Sequence, residues 1–199
     1  MRHDETILVA GILGGLALFV WEFVAHMALP LGEAGMSALP NEAAALATFK
    51  DVKQDGLYFF PGGGYRSDMT SAEKQQAMEK AEAMMAAGSP GGLLVLHPNG
   101  MRGMTPGQLG TQFAADVCSM LLAAFVVAQL GAPTFGARLL VAVLLSLLPA
   151  LRSHIPLWNW YGFPATYTMA QITMDVVGFA VGGAIVAKMV QVRARAAAA

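Results

Sequence analysis

The chain has 199 residues, room for one domain or a compact bundle with an insertion. Hydrophobic residues make up 56% and charged residues only 13%, against roughly 25% charged in a soluble domain, which points to a membrane. The net charge of −1 lacks the basic footprint of a nucleic-acid binder, and the single cysteine, Cys118, excludes an internal disulfide, a CxxC redox centre and a thiolate zinc site.

The first apolar segment covers residues 6–29. A spanning helix needs roughly 20 mostly apolar residues, so this one qualifies. A cleaved signal peptide is disfavoured. The leading MRHDET carries one arginine and two acids, the apolar run is too long, and no small-x-small site precedes the loop. Within this span, WEFVAHM places Glu22 and His26 one helical turn apart inside an apolar run.

Residues 31–108 form an insertion too long for a plain loop. NEAAALATFKDV reads as a short helix capped by Asn41. GLYFF, residues 56–60, reads as a strand ended by PGGG. TSAEKQQAMEKAEAMMAAG opens on Thr70 as a cap with Glu73 at the capping-box position, and closes on Gly88. Met78, Met84 and Met85 fit its packing face, with a metal-thioether role as the weaker alternative. GLLVLHP is a second strand, and His97 at its end reads as a surface residue. A helix between two adjacent strands suggests a parallel, right-handed βαβ pairing. PGGGYRSD lacks the GK[ST] of a phosphate-binding loop and reads as a turn.

Three further spans follow, at about 110–130, 135–151 and 166–190. The third is short and ends near Pro149, Arg152 and His154, but an odd number of crossings would put one terminus on the wrong side. Lysine and arginine in the short flanks set orientation. With the N-terminus in the cytoplasm, the inside carries Arg2, Arg138, Lys188, Arg193 and Arg195, and the short outer loop carries only Arg152. Both termini are then cytoplasmic and residues 31–108 are periplasmic. The tail RARAAAA reads as a solvated helix end.

The expected fold is an all-α membrane protein: a four-transmembrane-helix bundle with a small α/β extracytoplasmic insertion between helices 1 and 2. Its parts are helix 1 in 1–30, the cap in 31–108 and helices 2–4 in 109–199.

Each span carries a stripe of polar and small residues. Gly11, Gly15, Glu22 and His26 fall within roughly 60° of arc, as do Gln112, Asp116, Ser119 and Ala123. Thr168, Gln171, Asp175, Gly178 and Gly182 fall within roughly 80°. Gly11–Gly15 and Gly178–Gly182 are GxxxG pairs that let helices approach closely. With the stripes facing one another, Glu22, His26, Asp116, Arg152, His154, Gln171 and Asp175 form a polar layer in the outer half of the bundle.

Two readings of that layer are open. In one it is structural: Arg152 or a protonated His26 neutralises the acids and the layer fixes helix register. In the other it is a site. Glu22 and His26 at i, i+4, with Asp175, Asp116 or His154, offer oxygen and nitrogen ligands to a divalent metal such as Zn, Mn or Fe. The same groups suit a proton, ion or small-substrate path. Haem ligation by His26 and His154 is a weaker option. Trp158, Trp160 and Tyr161 in IPLWNWYGFPATY read as an interfacial anchor, with a lid or a partner surface as alternatives.

WEFVAHMALPLGEAG, LPNE, GLYFFPGG and WNWYGFPATYT together resemble an uncharacterised group of bacterial inner-membrane proteins. The resemblance spans nearly the whole chain and implies a bacterial inner-membrane location, and no activity. The expected function is a structural, accessory or binding subunit of a larger membrane assembly, an electron-transfer complex being one such. The partners are then the lipid bilayer, other membrane subunits or a second copy through Gly11, Gly15, Gly178 and Gly182. The alternative is a small transporter or metal-dependent membrane enzyme using the polar layer.

Overall fold

The computed structural model describes residues 3–101 and 103–190; the tail RARAAAA and the first two residues lie outside them. The described chain is mostly helical, with one small two-stranded sheet. In chain order it runs α1 (His3–Met27), α2 (Glu42–Thr48), β1 (Gly56–Phe60), α3 (Ser71–Ala86), β2 (Gly92–Leu96) and α4 (Pro106–Leu130). After these come α5 (Phe135–Leu145), α6 (Leu147–Pro149), a π-helical turn (Ala150–His154), α7 (Ile155–Tyr161) and α8 (Ala165–Met189). Among the described residues four helices are long and apolar enough to cross a membrane: Asp4–Met27, Pro106–Leu130, Phe135–Tyr161 and Ala165–Met189. The chain divides into two compact units, one holding these four and the other being Ser37–Arg102.

In the helical unit α1 packs along both α4 and α8, and α5 packs on α8. In a membrane, where no water drives apolar surfaces together, such contacts would depend on close van der Waals fit. Glycine supplies it. A Cβ on Gly14 would sit 3.0 Å from the Gly182 carbonyl oxygen, and one on Gly182 would sit 2.7 Å from that of Gly14. This is a backbone-to-backbone crossing of α1 and α8. Gly11 and Gly15 instead face α4, against Leu121 and Val117. Gly183 receives Ala142 of α5. The core between these helices holds Ala10, Leu18, Met120, Ala124, Val127 and Val186. Leu13, Val20, Phe125, Leu140 and Leu144 are exposed, the surface a membrane would cover.

Sequence spacing ends the third span near residue 151, but the helix continues to Tyr161 and totals 27 residues. Pro149 and Pro156 each lack an N–H and crowd the carbonyl four residues back. The chain absorbs this locally. Ser146 tightens the first break, its amide and hydroxyl both donating to the Val143 carbonyl at 3.1 and 2.6 Å. The π-turn Ala150–His154 widens the second. At the other end Arg138 of α5 donates Nε to the Ala187 carbonyl at 2.7 Å, and Nη1 to those of Ala132 and Pro133 at 3.3 Å. It thereby satisfies carbonyls near the ends of two helices.

In the second unit, the parallel pairing expected from strand–helix–strand order is overturned. β1 and β2 are antiparallel, with Gly56 opposite Leu96 and Phe60 opposite Gly92. The reason is the loop at 61–70. It runs beside α3, bringing Gly63 against the Ala77 carbonyl. Loop and helix form an outward and a return leg, so β2 starts where β1 ended. This contact also corrects the packing face of α3. Ala77 and Ala81 are buried, while Met78, Met84 and Met85 are exposed, because only small side chains admit the loop backbone.

The Thr70–Glu73 capping box forms in full. Its other end is closed by amides of Ser89 and Gly88 on the carbonyls of Met84 and Met85 at 3.0 and 2.9 Å, with Gly88 at φ +89°. Glu73 accepts the Thr70 amide and hydroxyl, which holds its carboxyl below the usual carboxylate range. Asn41 caps nothing with its side chain. It sits in the left-handed region at φ 54°, where its side chain makes no bond to the helix. His97 pairs with Asp55 at 3.0 Å, extending the strand register by one residue. PGGGYRSD is a turn, closed by the Tyr65 amide on the Gly62 carbonyl at 2.8 Å.

Candidate functional site

A cleft of about 790 Å³ lies among α1, α4, α8 and the α5–α6 junction. The last two turns of α1 contribute Glu22 and His26, α4 contributes Gln112, Asp116 and Ser119, and α8 contributes Gln171 and Asp175. Leu145, Leu148 and Pro149 form the facing wall. The helical periodicity that made three stripes in sequence therefore brings their polar members, Thr168 excepted, to one cavity.

The α1 wall is held by a bond the sequence does not advertise. Trp21 Nε1 donates to the Met174 carbonyl of α8 at 2.9 Å. The indole reaches that carbonyl because Gly178 has no side chain; a Cβ there would fall 3.0 Å from Trp21 Cδ1 and overlap Leu18. On the other side Phe19 meets Phe113 of α4 edge-on, centroids 5.6 Å apart. The chain after α1 folds back, so that a Cβ on Gly32 would come 2.7 Å from His26 Cδ2.

Each ionisable group has a distinct environment. Asp116 is 5% exposed. Its Oδ1 accepts from Gln112 Nε2 at 2.9 Å, and its Oδ2 is buried with no hydrogen-bond partner among the described residues. Asp175 Oδ2 meets His154 Nε2 at 2.9 Å, part-buried, with His154 reaching in from the π-turn. Glu22 lies in the electrostatic field of Asp116, Asp175 and His26. Its carboxylate approaches His26 Nδ1 at 3.7 Å, but that nitrogen hydrogen-bonds the Glu22 backbone carbonyl at 2.9 Å.

Arg152 does not join this group. It is exposed and makes no ion pair among the described residues. His154 and Arg152 are two residues apart on a helical turn, so when one faces Asp175 the other faces away. Nor do Glu22, His26 and Asp175 converge as metal ligands. Among the described residues no three of His, Cys, Asp or Glu come together closely enough to hold a metal ion. His26 is turned to its own helix and Asp175 to His154. Trp158, Trp160 and Tyr161 are exposed on α7, outside the cleft. The aromatic lining, Phe19, Phe23 and Phe179, escaped sequence reading because phenylalanine on an apolar helix carries no signal of which way it faces.

No family model, no curated protein and no solved structure matches the chain. The residues themselves carry the functional argument.

Proposed function

We propose that this is a multi-pass membrane protein that binds a small ligand among its helices, in the cleft around Glu22, Asp116 and Asp175. One observation carries the reading: Asp116, a residue of the cleft lining, has a buried carboxylate oxygen with no hydrogen-bond partner among the described residues. A layer that served only to fix helix register would satisfy its buried polar atoms, since an unpartnered one costs about 1–3 kcal/mol. Carriage of that ligand across the membrane is the natural extension of the same site. In a bacterial inner membrane, Arg138 and Lys188 at one end of their helices favour that end as cytoplasmic, which puts the acids in the outer half.

Thiol labelling tests whether the cleft is open. In a Cys118→Ala background, Ser119→Cys in membrane vesicles reacts with a charged methanethiosulfonate, whereas Leu13→Cys on the outward face of α1 does not. Equal lack of reaction at both positions would mean a sealed layer and would remove the binding reading.

A second reading is an accessory subunit of a larger membrane assembly. It is favoured by the sheet, where Leu57, Phe59 and Val95 share one face and are exposed. Foreign chains in fixed ratio after mild extraction would support it.

A further inference from the structure

We propose that the cleft takes a lipophilic organic cation, an N–H-bearing ammonium on an apolar body. This rests on the reading of the cleft as a binding site and names its ligand class.

The polar side of the cleft carries more acidic than basic side chains, its neutral donors being Gln112, Gln171 and Ser119. Three carboxylates line it, against the single imidazole of His26, and no lysine or arginine is among the described lining residues. Among the described residues nothing donates to Asp116 Oδ2, although Asp116 is more than nine-tenths buried. Among the described residues the Glu22 carboxylate makes no hydrogen bond, and Asp175 uses only Oδ2. What is missing is a group that brings positive charge and several N–H donors at once. An ammonium does both, and a hydrogen bond between ionised partners is about twice as strong as a neutral one.

The rest of the cleft describes the body of the ligand. Phe19, Phe23, Phe179, Leu145 and Leu148 line the same cleft as the acids. Rings around a cation add attraction through their π-faces. At about 790 Å³ the space suits a drug-sized molecule. A bare divalent ion fits poorly, since no three of the ligating side chains converge among the described residues. A carboxylate or phosphate ligand would find three acidic side chains and no lysine or arginine among the described lining residues.

The test is calorimetric titration of the purified full chain in detergent with n-octylamine, n-octanol and n-octanoate, probes of one chain length. The amine binds about tenfold tighter than the alcohol, as one charged hydrogen bond allows, and octanoate binds weakest. In Asp116→Asn the amine falls to the affinity of the alcohol while the alcohol is unchanged. Should that variant not fold, Glu22→Gln is read in the same way. Ser119→Phe, which fills the cleft, removes all binding. If amine and alcohol bind equally and both are lost in Ser119→Phe, the cation class is wrong and the binding cleft stands. If no probe binds the unaltered chain better than it binds Ser119→Phe, the class and the binding reading both fall.

Discussion

Replacing Gly182 with alanine adds one methyl group at the crossing of α1 and α8. That carbon would lie 2.7 Å from the Gly14 carbonyl oxygen and 2.8 Å from Met120 Sδ. Ordinary carbon–oxygen contact begins more than half an ångström further out. The Met120 sulfur can swing aside, but the Gly14 oxygen belongs to a helix backbone and cannot. The two helices must part locally, and overpacking of this kind costs about 1–3 kcal/mol. Gly110→Ala is the matched control, because nothing lies within 4 Å of its added carbon; it is neutral or gains up to about 1 kcal/mol from helix propensity. The assay is reversible unfolding in mixed micelles, followed by circular dichroism. Gly14→Ala meets the same crossing from the other side, so the double variant costs less than the two singles summed. Equal stability of Gly182→Ala and Gly110→Ala would refute the crossing. Strict additivity of Gly14→Ala and Gly182→Ala would refute its reciprocity.

Three other outcomes follow from single contacts. Trp21→Phe loses the bond to the Met174 carbonyl and costs about 0.5–1.5 kcal/mol in the same unfolding assay, while keeping most of the packing. Arg138→Ala frees three carbonyls and costs about 1.5–3 kcal/mol; Arg138→Lys recovers only part of this, since one ammonium cannot reproduce the planar fork. Thr70→Ala breaks the capping box and loosens the first turn of α3 by about 1 kcal/mol, read as faster amide exchange there. Glu73 adds a pH signature. Its folded carboxyl is held below its unfolded value, so its contribution is full above the ordinary carboxylate range and is lost as pH falls through the lower folded value. Exchange at that turn, corrected for its intrinsic pH dependence, therefore rises in acid, and Thr70→Ala abolishes the rise.

How far each feature was legible depended on the range of the physics behind it. The capping box on α3 and the four apolar helices are local or compositional, and their residues announce them. Glu22, Asp116, Gln171 and Asp175 share a cavity because 3.6-residue periodicity fixes which face each occupies. Arg152 could not be placed in this way. Its direction is set by the π-turn between Pro149 and Pro156, and a turn of altered width rotates every later residue. Strand direction failed for a related reason: the loop at 61–70 carries no periodicity, yet its run beside α3 decides where β2 begins. Spacing marks Gly11, Gly15, Gly178 and Gly182 as close-approach sites, but neither Gly14 nor the partner of any of them. Gly11 and Gly15 meet α4 and Gly14 meets α8, so one helix uses glycines on two faces within five residues. These contacts lie within one chain, which leaves them less able to serve a second copy.

Native mass spectrometry of the protein, released gently from its own membrane, tests the binding cleft most directly. It reports ligand and partner chains in a single mass. The account predicts one chain carrying a small added mass that is absent from Asp116→Asn prepared in parallel. A chain with no added mass, or with foreign subunits and no small ligand, would contradict it and leave the polar residues of WEFVAHM to hold helices in register.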